Sequence, residues 1–219
     1  LLNVGIGIDG PVDIISGSGV DAAVFTPSGV VHQEADLIVF PARMLRDKGV
    51  VEFVEAAAII KRMRPRTRLA LVGGCDPDNR GSIDQTQIET WVRSGVVEWW
   101  GHRDDMAAVY RQATIVCLPS YREGLPKALL EAAACGRPLI ATNVPGCRAV
   151  CRQGETGLLV GPKNSSALAN TIMSLLDDRG LREDFGRNAR ALVLSQFSND
   201  VIHRQTHAFY ENLTMNIRR

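Results

Sequence analysis

The sequence lacks a dominant charge, a membrane-length apolar run, an even set of cysteines and a metal-ligand cluster. Its 219 residues carry 25 Lys and Arg against 24 Asp and Glu, a formal net charge of +1. That balance creates no nucleic-acid or membrane field over the whole molecule, so any anion binding must be local. No apolar stretch nears the roughly 18 residues that span a bilayer, and no signal peptide is visible. The five cysteines, Cys75, Cys117, Cys135, Cys147 and Cys151, are scattered and odd in number. They suit reduced thiols in the cytoplasm better than a disulfide framework. The chain opens Leu1-Leu2-Asn3 and not with Met, and is read as a piece of a longer protein.

Familiar catalytic and cofactor signatures are missing as well. There is no nucleophile elbow of the G-x-S-x-G type and no Walker phosphate loop. His203 and His207 have a zinc-like spacing, but Arg204, Gln205 and Thr206 lie between them, with no catalytic Glu and no third ligand. Cys147 and Cys151 lack a second ligand pair, so no metal and no cofactor is expected. Gly5-Ile6-Gly7-Ile8-Asp9-Gly10 and Gly17-Ser18-Gly19-Val20-Asp21-Ala22 fit dinucleotide-type glycine patterns. That chemistry needs a helix directly afterwards to hold a pyrophosphate. Pro11 follows the first pattern and Pro27-Ser28-Gly29 the second, so both are read as turns.

Hydrophobic residues at 45% and charged ones at 22% describe an ordinary globular domain with ample core. Apolar runs predict strands at 12–16, 36–42, 68–72, 96–100, 114–118, 138–142 and 157–160. Helical spacing predicts helices at 48–63, 82–94, 104–112, 126–135, 165–176, 181–194 and 199–213, with a short helix or turn at 146–151. Strands that are apolar throughout and alternate with helices imply an α/β fold. The expected form is a Rossmann-like, doubly wound parallel sheet of about six strands with helices on both faces. No repeat or linker divides it, so residues 1–219 are read as one domain.

The chain is organised around Pro119-Ser120-Tyr121-Arg122-Glu123-Gly124-Leu125-Pro126-Lys127-Ala128-Leu129-Leu130-Glu131. A strand ends at Pro119-Ser120, a polar loop follows, and Pro126 is expected at the first helical position. The amides of Gly124, Leu125 and Lys127 would surround an open helix start, which attracts phosphate. Glu131 would lie about 7–8 Å further along the helix. Two carboxylates could then grip the ends of one extended ligand with a phosphate between them, the shape of a sugar nucleotide. A plain surface pair is the default for Glu123 and Glu131 taken alone. Arg43 and Lys48 follow another strand and could neutralise a diphosphate, although taken alone their default reading is a solvated basic loop. Gly101-His102-Arg103 also follows a strand and could hold a nucleobase, or be a simple turn.

The block from Glu123 to Thr142 resembles the E-x7-E signature of family-4 retaining glycosyltransferases, also called group 1. Their GT-B fold sets two Rossmann-like domains across a cleft. Ser18-Gly19-Val20-Asp21 with Phe25 and Pro27 resembles the entry into the family's C-terminal domain. Arg43…Lys48-Gly49 resembles its G-R-L…K-G motif, Gly157-Leu158-Leu159-Val160 its T-G-L-L-V, and Phe197…Tyr210 its closing helix. Ala42 stands in place of the usual Gly before Arg43, and Ser18 in place of the usual Asn.

The resemblance implies a donor-binding, C-terminal half of GT-B, with the N-terminal acceptor domain absent. Arg43 and Lys48 would bind the diphosphate of a UDP- or GDP-sugar. Glu123, with Gly124, Leu125 and Pro126, would meet sugar and phosphate. Glu131 would accept hydrogen bonds from the ribose, and Gly101, His102 and Arg103 would lie by the base. The implied activity is hexosyl transfer with retention, without metal, to a sugar or lipid-linked acceptor in polysaccharide or lipopolysaccharide assembly. Such an enzyme would be cytoplasmic or peripherally attached at the inner face of the membrane, with no nucleic-acid partner, and the isolated domain would be inactive. A nucleotide-sugar 2-epimerase of the same architecture and an inactive binding subunit are the alternatives.

Overall fold

The computed structural model describes Gly17, residues 19–27 and residues 35–217. The strand expected at 12–16, the first glycine pattern and Ser18 lie outside these residues. Six parallel strands form one sheet: β1 Leu37–Pro41, β2 Arg68–Val72, β3 Glu98–Trp99, β4 Ile115–Leu118, β5 Leu139–Thr142 and β6 Gly157–Val160. Their order is β3-β2-β1-β4-β5-β6, so the chain winds outward twice, once from β1 and once from β4.

The strands are apolar on both faces because helices cover both. Ile38, Phe40, Leu69, Leu71, Ile115 and Cys117 point to the side of helix α1 (Val50–Met63), α2 (Gln85–Arg93) and α6 (Ser165–Asp177). Their alternating neighbours Leu37, Val39, Ala70, Val72, Val116 and Leu118 face α3 (Met106–Gln112) and α4 (Lys127–Ala134). A short α5 (Pro145–Arg148) joins β5 to β6. The chain closes with α7 (Arg179–Leu192), a π-helical turn Val193–Phe197 and α8 (Asn199–Ile217). Among the described residues no helix is long and apolar enough to cross a membrane.

Differences from expectation sit at element ends. The strand expected at 96–100 shortens to Glu98–Trp99, which lies at the sheet edge and pairs only with β2. Side-chain caps move helix starts: Asp84 accepts from Thr86 N at 2.7 Å and Asp178 from Leu181 N at 2.9 Å. Pro126 is not the first helical residue but the N-cap, with extended ψ of 108°. The second glycine pattern does lead into a turn, closed by Asp21 Oδ1 accepting from Ala23 N at 2.9 Å.

The helix expected at 48–63 breaks at Gly49. A 3-10 turn, Arg46–Lys48, ends there at φ 77°, and α1 begins one residue later. A Cβ on Gly49 would lie 2.1 Å from the carbonyl oxygen of Pro119, so both the dihedral and the contact demand glycine. Gly49→Ala should lower unfolding stability by about 2 kcal/mol or more in urea titration. Gly95→Ala, at φ 73° with nothing within 4 Å of the new methyl, should cost only about 1 kcal/mol of backbone strain. Equal losses would show that the approach to Pro119 contributes nothing.

Candidate functional site

Doubly wound sheets bind ligands outside the carboxyl ends of their strands, where the winding reverses. Here that point lies between β1 and β4. Lys48 comes to it from the turn after β1 and Glu123 from the loop after β4. Lys48 Nζ stands 2.7 Å from Glu123 Oε1, and the side chains are only 23% and 13% exposed. The backbone enforces this meeting. Tyr121 N donates to Asp47 O at 2.8 Å, tying the two loops together one residue before Lys48. From below, Gly146 of α5 presses so close that a Cβ there would lie 2.3 Å from the carbonyl oxygens of Glu123 and Gly124.

Arg43 leaves the same turn as Lys48. Its Nη1 donates to Asp76 Oδ2 in the loop after β2, and its side chain is 61% exposed. Met44 N donates to Gly74 O at 3.0 Å and Ile83 N to Met44 O at 2.8 Å, so the Asp76 loop is docked on Arg43's turn. Gly124, Leu125 and Pro126 lead into α4, where Lys127 is the first helical residue. Among the described residues, nothing accepts a hydrogen bond from the amides of Gly124, Leu125 or Lys127.

Glu131 lies in the second turn of α4. The Tyr110 hydroxyl donates to its Oε2 at 3.2 Å, and Lys127 Nζ is 3.8 Å from Oε1. Burial raises its pKa above the ordinary carboxylate value, while Lys127 and the Tyr110 bond pull the other way. Gly101 turns at φ 65° and its carbonyl accepts from Gly73 N at 2.8 Å, which places this loop beside the Asp76 loop. His102 and Arg103 are engaged by their own loop: His102 Nε2 lies 3.2 Å from Asp104, and Arg103 forks onto Asp105 with two 2.7 Å bonds.

The structure therefore joins Lys48 to Glu123 directly, Arg43 to them through a shared turn, and Glu131 through α4. His102 and Arg103 contact none of the others. Asp76, Tyr110 and Gly146 went unnoticed in the sequence, since each matters only through contacts with distant segments. His207 pairs with Glu211 at 3.5 Å, and the described residues hold no cluster of three or more His, Cys, Asp or Glu side chains suited to a metal. Among the described residues every cysteine is free, four are buried and Cys75 is partly so.

Residues 26–192 match the family described as "Glycosyl transferases group 1". The chain belongs to that family. It is 29% identical over 217 residues to N,N'-diacetylbacillosaminyl-diphospho-undecaprenol alpha-1,3-N-acetylgalactosaminyltransferase of Campylobacter jejuni, covering 93% of this chain and 55% of that protein. Sucrose-phosphate synthase from Thermosynechococcus elongatus superposes with a TM-score of 0.79 at 30% identity, over 92% of this chain and 52% of its own. The C-terminal domain of a glycosyl transferase group 1 family protein, LpcC of Francisella tularensis, superposes with a TM-score of 0.72 at 26% identity. That match covers 82% of this chain and 99% of the domain. The chain spans about half the length of the curated relatives it matches. Its sheet is the Rossmann-like half expected of GT-B glycosyltransferases.

The raised pKa of Glu131 has a direct consequence. The folded state holds this proton more tightly than the unfolded chain, so stability is lost as pH rises from the ordinary carboxylate range through the folded value. Glu131→Gln should be more stable than wild type at pH 7.5, and the gap should shrink toward pH 4.5. Urea midpoints at the two pH values check this; an unchanged gap would count against it.

Proposed function

We propose that this chain is the donor-binding half of a retaining, hexosyl-transferring glycosyltransferase that uses a nucleotide-diphosphate sugar. The observation carrying the reading is the Lys48–Glu123 pair at the reversal of the sheet, beside the start of α4. Lys48 and Arg43 supply positive charge for the diphosphate, Lys48 as a point charge and Arg43 as a fork. The amides around Pro126 add a fixed dipole on the same side. Glu123 faces donor sugar and phosphate, and Glu131 accepts from the ribose hydroxyls, the two acids forming the E-x7-E pair. Gly101, His102 and Arg103 lie toward the base. The near-complete overlap with a solved C-terminal domain supports the half-enzyme reading.

In this reading the bond from the sugar's anomeric carbon to the diphosphate breaks through an oxocarbenium-like transition state. An acceptor hydroxyl forms the new bond on the same face, and its proton passes to the departing phosphate. Charge grows on that phosphate, so groups preset around it lower the barrier without a protein nucleophile or a metal. The acceptor, a sugar or a lipid-linked sugar, would sit on the other half of the whole protein. That places the work in the cytoplasm, at the inner face of the membrane where the acceptor is lipid-linked, in polysaccharide or lipopolysaccharide assembly. The Campylobacter relative, named for an undecaprenol-linked substrate, supports such an acceptor.

Calorimetry of the chain alone with UDP-, GDP- and ADP-sugars should show weak binding of at least one and no transfer. Binding of none would sink the reading. In the full-length enzyme, Lys48→Ala and Arg43→Ala should each cut transfer by about 10²–10³-fold. Undiminished turnover in both variants would remove their assigned role.

A further inference from the structure

The loop that carries Glu123 is held by a side chain with no part in the reading above. Tyr121 stands two residues before Glu123, and its hydroxyl donates to Glu52 Oε1 in the first turn of α1. Its amide donates to Asp47 O, which also accepts from Ser120 Oγ at 3.3 Å. Lys163, in the loop after β6, places its ammonium 4.9 Å from the centre of the Tyr121 ring. Lys163 has φ 57°, the left-handed region, and is the sole non-glycine residue there among those described. One phenol thus touches the segments that follow β1, β4 and β6.

Glu52 adds a second observation. Its Oε2 is buried without a hydrogen-bond partner, the one such side-chain atom among the described residues. A half-buried carboxylate with one oxygen shielded and unpaired carries a cost that an apolar residue at the same place would not. What Glu52 provides that an apolar residue cannot is a directional acceptor for Tyr121. Burial and the Glu52 charge push the phenol's pKa up to about 12, so the hydroxyl keeps its proton to donate.

We propose that Tyr121 is a positioning residue: its hydroxyl, anchored on Glu52, holds the Glu123 loop in register with Lys48. The inference rests on the transferase reading above. A loop displaced by a fraction of an ångström would still bind donor but would align it less often for reaction, so the effect belongs in kcat more than in KM.

In the full-length enzyme, Tyr121→Phe should lower kcat about tenfold with donor KM changed less than twofold. Glu52→Ala should match it, and the double variant should be no worse than either single one, because both remove one bond. Glu52→Gln, whose amide oxygen still accepts from the phenol, should restore most of the turnover. Hydrogen exchange across residues 119–126 should quicken in Tyr121→Phe and Glu52→Ala and stay near wild type in Glu52→Gln. Wild-type kcat in Tyr121→Phe, multiplying losses in the double variant, or unaltered exchange would each overturn the inference while leaving the transferase reading intact. A wild-type enzyme that transfers nothing from UDP-, GDP- or ADP-sugars overturns the reading itself, and the exchange rates then still decide whether Tyr121 moors the loop.

Discussion

Lys48 and Glu123 are 75 residues apart in sequence and 2.7 Å apart in space, and the winding of the sheet brings them together. After β1 the chain crosses to α1 on one face, and after β4 it crosses to α4 on the other. The loops leave adjacent strands toward opposite faces, at the reversal where sheets of this kind hold ligands. Both members of the pair are mostly shielded, and shielding two charges costs desolvation that their attraction does little more than offset. Apolar residues of the same size would serve the fold at least as well. In the proposed reading the pair forms the wall of a polar binding site.

Around it the charges are held in place before any ligand arrives. Arg43 uses one guanidinium nitrogen on Asp76, leaving other donors of its fork to reach outward. Because the Arg43 side chain is 61% exposed, that bond adds little stability and costs little to rearrange. Glu131 is the opposite case: largely shielded, less acidic than usual and steadied by a phenol, it offers acceptor oxygens suited to hydroxyl groups. The proposed donor, a diphosphate flanked by hydroxyl-rich groups, would be met by that division of labour, with Arg43 free to rearrange and Glu131 a firm acceptor.

The alternation of apolar strands with periodic helices was plain in the sequence because both faces of the sheet are covered. Residues 68–72 and 157–160 match their predicted strands to the residue. The loop carrying Glu123 and the cations after β1 were also legible, since the sheet rule places both at one edge. Helix boundaries were less so. Gly49 sits between a basic turn and a helical pattern, and only the carbonyl of Pro119, 70 residues away, shows why the helix must wait for it. The side-chain bonds of Tyr110, Asp76 and Tyr121 were hidden for the same reason: each reaches a residue at least 21 positions away. Periodicity reports a residue's own element, and it carries no trace of such a bond.

The surroundings of the Lys48–Glu123 pair are built largely from main chain. Their shape depends on backbone pressed against backbone, at Gly49 with Pro119 and at Gly146 with Glu123 and Gly124. Their floor depends on strands that need only be apolar and of suitable volume, a condition many sequences meet. Neither requirement fixes the side chains that project from the loops. His102 and Arg103 illustrate the freedom: both are exposed, and the ion pairs they form among the described residues are with acids two residues away. A frame held by main chain, with exposed loop side chains such as these at its rim, could keep the proposed diphosphate site while the residues proposed to lie by the base change around it.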